Sequence, residues 1–169
     1  MRTKNNNKGI TILEMMIIAV VIGITSTLAI PRFGQVMDKL RLKTAARDMV
    51  FSLRLARSYA VSQRSQFGVY FDLGSSQYVL FKDLANPGSF TYDAGSDSDM
   101  VTKTLPGRAG FGWSSFPNFA VIFKPDGSAS SSGLIELYYY SGEDYYGCFT
   151  VDVLGSTGRV KLIPGHAYN

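Results

Sequence analysis

Apolar residues run almost unbroken from Ile10 to Ile30, and within that stretch Glu14 is the only ionisable side chain. At 1.5 Å per residue, a helix of this length measures about 31 Å, enough to cross a hydrocarbon core of ~30 Å. The pattern then changes. From Arg32 to Arg64, apolar residues recur at helical spacing: Phe33, Val36, Leu40, then Leu42, Ala45, Met49, Leu53, Ala56 and Ala60. Arginines fill much of the remaining surface, and a solvated face is their plain explanation. Pro31 stands between the two stretches with good helix formers on both sides, so it predicts a kink and not an end. Gly23, Thr25, Ser26 and Thr27 predict close helix approach in lipid and a segment able to unwind partly.

After Arg64 the period falls to two. Phe67–Asp72 and Gln77–Lys82 read as a hairpin around Leu73-Gly74-Ser75-Ser76. Further strands are predicted at Met100–Leu105, Phe119–Lys124, Leu134–Tyr140, Cys148–Leu154 and Arg159–Ile163. Ala85–Ser98 reads as a loop, Arg108–Pro117 as an irregular loop anchored by Trp113, and Ser128–Gly133 as a flexible serine-rich linker. The fold class is therefore α+β, a long N-terminal helix packed against an antiparallel β-sheet head, because a sheet must bury one face. The divisions are a short polar segment 1–9, a transmembrane helix 10–30, an amphipathic helix 31–64 and a β-rich head 65–169.

Charge and composition add limits. The chain has 169 residues, net charge +4, one cysteine and one histidine. Basic residues flank the apolar run on both sides, so they set no orientation. Cys148 has no intramolecular disulfide partner, and its neighbours Phe149 and Val151 favour a buried, inert thiol. His166 has no Ser or Cys motif around it, so a hydrolase triad or histidine metal site is not expected, and neither is an enzyme. No cofactor is implied.

Glu14 is costly where it stands. A carboxylate inside the hydrocarbon costs at least ~2.5–3.5 kcal/mol unless paired. The preceding residues Lys8 and Gly9 end a short basic segment free of acids. Cleavage after Gly9 would expose an α-amino group at Ile10, about one helical turn from Glu14. Two rivals compete. A secretory signal cleaved after Ala29 would need an unusually long apolar region containing an acid. An ordinary anchor would let Glu14 snorkel to the near interface.

The arrangement Gly9, Ile10, Thr11, Glu14 and Pro31 resembles the type IV prepilin leader and its helix. Leu55-Ala56-Arg57-Ser58-Tyr59-Ala60, Phe123-Lys124-Pro125-Asp126-Gly127 and Gly158-Arg159-Val160-Lys161 resemble, in order, segments of the GspH/FimT pilin-like proteins. The resemblance implies a minor pilin or pseudopilin of a type IV pilus or a type II secretion pseudopilus, at or near the tip. It implies cleavage between Gly9 and Ile10 by a prepilin peptidase, N-methylation of Ile10, and pairing of Glu14 with the amine of a neighbouring subunit. It also implies an inner-membrane, single-pass protein with a periplasmic head and other pilin subunits as partners.

Three further candidates come from the head. Arg159 and Lys161 share one face of a strand and could hold nucleic-acid phosphates, which makes a DNA-uptake receptor the alternative function. A structural turn at Gly158 with Arg159 in a salt bridge is the simpler explanation. Asp93, Asp97 and Asp99 offer carboxylates to calcium, but without EF-hand spacing they read as a solvated loop. Tyr138, Tyr139, Tyr140, Tyr145 and Tyr146 form an aromatic cluster, and alternation sets Tyr139 against its two neighbours.

Overall fold

The computed structural model describes the backbone of residues 10–141 and 144–165; the side chains of residues 28–33, 35 and 141–147 fall outside the described set. The chain divides into two units, Met1–Met37 and Asp38–Asn169. Helix α1 is Ile12–Gln63. It is helical through Gly23–Thr27 and Pro31. Thr25 donates to the carbonyls of Val21 and Ile22, and Thr27 to that of Ile24, so these hydroxyls are satisfied inside the helix itself. The described side chains from Ile10 to Thr27 are all exposed. Among the described residues no helix is long and apolar enough to cross a membrane. In sequence the apolar run continues through Leu28, Ala29 and Ile30, whose side chains are not described.

The second unit holds the rest of α1 and eight strands: β1 Phe67–Asp72, β2 Gln77–Lys82, β3 Ser98–Thr104, β4 Ala109–Ser114, β5 Ala120–Phe123, β6 Gly133–Ser141, β7 Asp144–Leu154 and β8 Arg159–Pro164. They form two four-stranded sheets, ordered β3-β2-β1-β5 and β4-β6-β7-β8, with antiparallel pairing throughout. Of the helix stripe read from sequence, the part from Leu42 onward is buried, whereas Val36 and Leu40 are exposed and the side chain of Phe33 is not described. Leu42, Ala45, Ala46, Met49, Leu53, Ala56 and Ala60 join a single core with Val69, Phe71 and Leu80 of the first sheet and Ile135, Leu137, Val151 and Val153 of the second. Fully burying a side chain such as Leu53 contributes roughly 1.5–3 kcal/mol. The outer face of the first sheet carries a smaller cluster, Val79, Phe81 and Ile122, covered by Phe90 and Tyr92 from the loop between β2 and β3. Being buried on both faces, β1 and β2 read as near-continuous apolar runs.

Two segments differ from expectation. Arg108–Pro117 is not an irregular loop but contains β4, the edge of the second sheet. Its glycines let neighbouring side chains cross over the strand: a Cβ on Gly112 would lie 2.7 Å from Glu136 Oε2, and one on Gly110 would lie 3.1 Å from the Tyr138 hydroxyl oxygen. Trp113 is half exposed, and Phe116 is the anchor, 3 % exposed and stacked on Phe71 at 5.9 Å. Ser128–Gly133 is fastened, not free. Ser130 N–H donates to Ile122 O at 2.7 Å, Ala129 bridges Phe123, and Ala129 itself is buried.

Candidate functional site

The helix begins with a local device that the sequence already spells. Glu14 N–H donates to Thr11 Oγ1 at 3.2 Å, and Met15 N–H donates to Thr11 O at 3.2 Å. Thr11 is therefore the N-cap and Glu14 occupies the third helical position, as in the Ser/Thr-x-x-Glu capping pattern. A carboxylate there also sits on the positive end of the helix dipole. Both residues are exposed, as is Ile10. Among the described residues Glu14 has no cationic partner; the ion pair present is Arg41 with Asp38, at 3.5 Å. Gly9 lies outside the described residues, and so does the side chain of Pro31.

The three short segments quoted from the rest of the chain meet in space. Arg57, near the end of α1, donates from Nε to Gly127 O at 2.9 Å, across to the turn after β5. Gly158, in the turn between β7 and β8, packs on the same carbonyl: a Cβ there would collide with Gly127 O and lie 2.9 Å from Arg57 Nε. Its φ of 62° also favours glycine. One turn of helix earlier, Arg54 Nη2 donates to Val160 O at 3.2 Å. Arg57 thus joins the helix to the first sheet, and Arg54 joins it to the second. The two arginines with Ser58, Val61 and Ser62 line an open groove of ≈ 420 Å³.

The strand β8 continues from this junction. Arg159 and Lys161 are exposed, with Val160 buried between them, as alternation requires. Lys161 stands opposite Asp152 on β7, and Arg159 stands opposite Leu154. Neither forms an ion pair among the described residues, so the salt bridge expected of Arg159 is not found among them.

The acidic loop does not converge. Asp97 is buried and accepts from Leu84 N–H at 2.9 Å, Ala85 N–H at 3.1 Å and Asp93 N–H at 2.8 Å. Asp93 accepts from Asn86 Nδ2 at 3.3 Å, and Asp99 accepts from the Tyr92 hydroxyl at 2.9 Å. Among the described residues no three His, Cys, Asp or Glu side chains are placed to hold a metal. His166 lies outside the described residues.

The tyrosines divide as alternation predicts. Tyr139 is buried, and Tyr138 and Tyr140 turn the other way, with rings 6.1 Å apart. Burial, then a hydrogen bond to Asp38, raises the Tyr139 hydroxyl above its usual range. The side chains of Tyr145 and Tyr146 are not described. Cys148 is half-buried, and its thiol donates to Glu136 Oε1 at 2.7 Å. Burial and that carboxylate push the thiol up to about 12.

Comparison with known proteins completes the picture. Residues 45–155 match the family model described as type II transport protein GspH, a range that contains the Arg57 segment and the Gly127 turn. No curated protein sequence matches the chain. Among solved structures, the minor pseudopilin EpsH of the Vibrio cholerae type 2 secretion system is similar at TM-score 0.58 and 14 % identity, over 73 % of this chain and 97 % of that one. The type IV minor pilin FimU of Pseudomonas aeruginosa is similar at TM-score 0.56 and 17 % identity, over 73 % and 88 %. Escherichia coli GspH is similar at TM-score 0.54 and 14 % identity, over 76 % and 90 %. At these identities the structures speak for the fold, and the family match, which spans more than half of the sequence, speaks for descent: the chain belongs to the GspH family of type II transport proteins and has the fold of minor pseudopilins and minor pilins.

Proposed function

We propose that the chain is a minor pilin or pseudopilin that enters a filament at or near its tip after cleavage between Gly9 and Ile10 and methylation of the new amine. The observation that carries this reading is the family match together with a helix that starts at Ile12, two residues past the cleavage position. A chain starting at Ile10 would place its amine beside the Thr11 cap and the exposed Glu14 carboxylate. In this reading the apolar run anchors the precursor in the inner membrane with the head in the periplasm. Glu14 then attracts the amine of an adjoining subunit and sets the register of assembly.

Mass spectrometry of the protein from cells with and without a prepilin peptidase tests the first step. The expected N-terminus is methylated Ile10 with the peptidase and Met1 without it. A chain beginning near Ile30, or retaining Met1 in both strains, would overturn the reading.

A second reading has one specific support. Arg159 and Lys161 are exposed on one face of β8, and neither is ion-paired among the described residues. They suit phosphate contacts of a DNA-uptake receptor. Asp152 opposite Lys161 weakens that case. Gel shifts at two salt concentrations decide it: salt-sensitive retardation lost in Arg159→Ala supports DNA binding, and no retardation at low salt removes it.

A further inference from the structure

The first sheet ends in a row of acceptors. Phe67 pairs with Lys82 and Lys82 with Ser98; one step outward the same registers set Gln66 opposite Asp83 and Asp83 opposite Asp97. The Asp83 N–H to Gln66 O bond of 3.0 Å continues the first pairing. Residues directly opposite in antiparallel strands share a face and lie about 5 Å apart at Cβ. The face is the outer one, because Asp83 is two residues from Phe81 and Asp97 two from Asp99. It lies beneath the Asp83–Asp97 loop, whose Phe90 and Tyr92 cover Phe81.

Two carboxylates side by side across a strand pair repel. Here both are buried, Asp83 2 % and Asp97 8 % exposed. Asp97 has three N–H donors, but Asp83 Oδ1 and Oδ2 have no hydrogen-bond partner among the described residues, and neither has the buried Gln66 Oε1. The Asn86 N–H lies close enough to favour the charged form of Asp83 but does not form a well-aligned bond. Among the described residues no cation is ion-paired with either carboxylate. Lys82 turns to the opposite face, with its ammonium 5.8 Å from the Phe67 ring, and Lys124, the next residue in the row, holds its ammonium over Phe90 at 5.2 Å. Burial, then the charge of Asp97, pushes Asp83 up to about 6.

Buried oxygen acceptors without donors, carrying uncompensated negative charge, are the chemistry of a hard cation site. We propose that Asp83, Asp97 and Gln66 bind a divalent cation of the calcium class, which fastens the Asp83–Asp97 loop to the outer face of the first sheet. Two carboxylates and an amide oxygen are only part of a shell of six to eight oxygens, so loop carbonyls and solvent would complete it. The site is distinct from the Asp93, Asp97, Asp99 triple that the sequence suggests. Of that triple it keeps only Asp97, and it adds Gln66 just before β1 and Asp83 just after β2.

The test uses the full chain in detergent, stripped with a chelator. Thermal unfolding is followed in CaCl2 at about 1 mM, within the range of extracellular calcium modules, and in NaCl of equal ionic strength. Calcium is expected to raise the midpoint by ~3–5 °C over the NaCl control, with a smaller rise for Mg2+. Asp83→Asn should abolish the rise and, in chelator, unfold no lower than the native chain, because it removes one of two repelling charges. Terbium luminescence excited through tyrosine, Tyr92 being at the loop, should appear in the native chain, be displaced by calcium, and be absent in Asp83→Asn. Asp97→Asn is a weaker probe, since Asp97 also holds three N–H groups. An equal rise in Asp83→Asn, or no calcium-specific rise in the native chain, would each overturn the proposal.

Discussion

Arg57 Nε and Gly127 O are 2.9 Å apart, although the residues are 70 positions apart in sequence. This contact ties the end of α1 to the turn after β5. A guanidinium on a carbonyl is worth about 1.5–3 kcal/mol net. Arg57→Ala should therefore lower head stability by about 1–2 kcal/mol, allowing for the partial exposure of Arg57. A drop of roughly 3–8 °C in the unfolding midpoint checks it. Arg57→Lys should recover little, because an ammonium loses the planar fork.

Gly158→Ala is expected to cost more than Arg57→Ala. The new Cβ meets Gly127 O and Arg57 Nε together, at a φ of 62° that alanine rarely adopts. The loss should exceed about 2 kcal/mol, from strain and collision combined. Chemical denaturation of the two variants side by side gives the order, and the reverse order would mean that this turn yields easily.

Glu14 has two possible employments, and one substitution separates them. Gln at the third helical position still fits a capping box, so Glu14→Gln keeps the helix start and removes the charge. If attraction to a neighbouring amine drives assembly, Glu14→Gln should be cleaved normally yet enter filaments at least about tenfold less, the effect of ~1.4 kcal/mol. Immunoblots of processed chain and of sheared or cross-linked filaments read both quantities. Thr11→Val, which removes the cap but not the charge, should have the milder effect on assembly.

The Cys148 thiol should be slow to react. Its proton is held by burial and by Glu136, with a pKa of about 12 against an ordinary 9.0. At pH 8 the thiolate fraction is then roughly a thousandfold below that of an ordinary thiol. Glu136→Gln removes the neighbouring charge, so the pKa should fall and alkylation by iodoacetamide should accelerate. An unchanged rate would leave burial as the whole cause.

The helix stripe, the first hairpin and the β6–β8 meander are legible in sequence because each has a clean period and turn residues at its ends. Asp72 shows the turn chemistry directly, accepting from Gly74 and Ser75 N–H groups. What sequence alone hides is the division into two sheets. β5 pairs with β1, more than forty residues away, and no local signal encodes that partner. β4 is hidden because Gly110 and Gly112, which look like loop residues, make room for Tyr138 and Glu136 on the neighbouring strand. The Ala56–Ser58, Pro125–Gly127 and Gly158–Lys161 segments are visible as separate resemblances. Their convergence on one carbonyl is a property of the fold. The Thr11 to Glu14 cap, by contrast, is written in the sequence as Thr-x-x-Glu, and the membrane question around Glu14 draws attention away from it.

The core that α1 shares with both sheets includes several small residues of the helix, Ala45, Ala46, Ala56 and Ala60, all buried. That row leaves little latitude in the helix, since a larger side chain there would overpack the core. The Asp83–Asp97 loop covers the opposite face of its sheet and makes no demand on the helix core. Length and chemistry at that outer loop can thus be altered without repacking the helix, whose buried side tolerates far less.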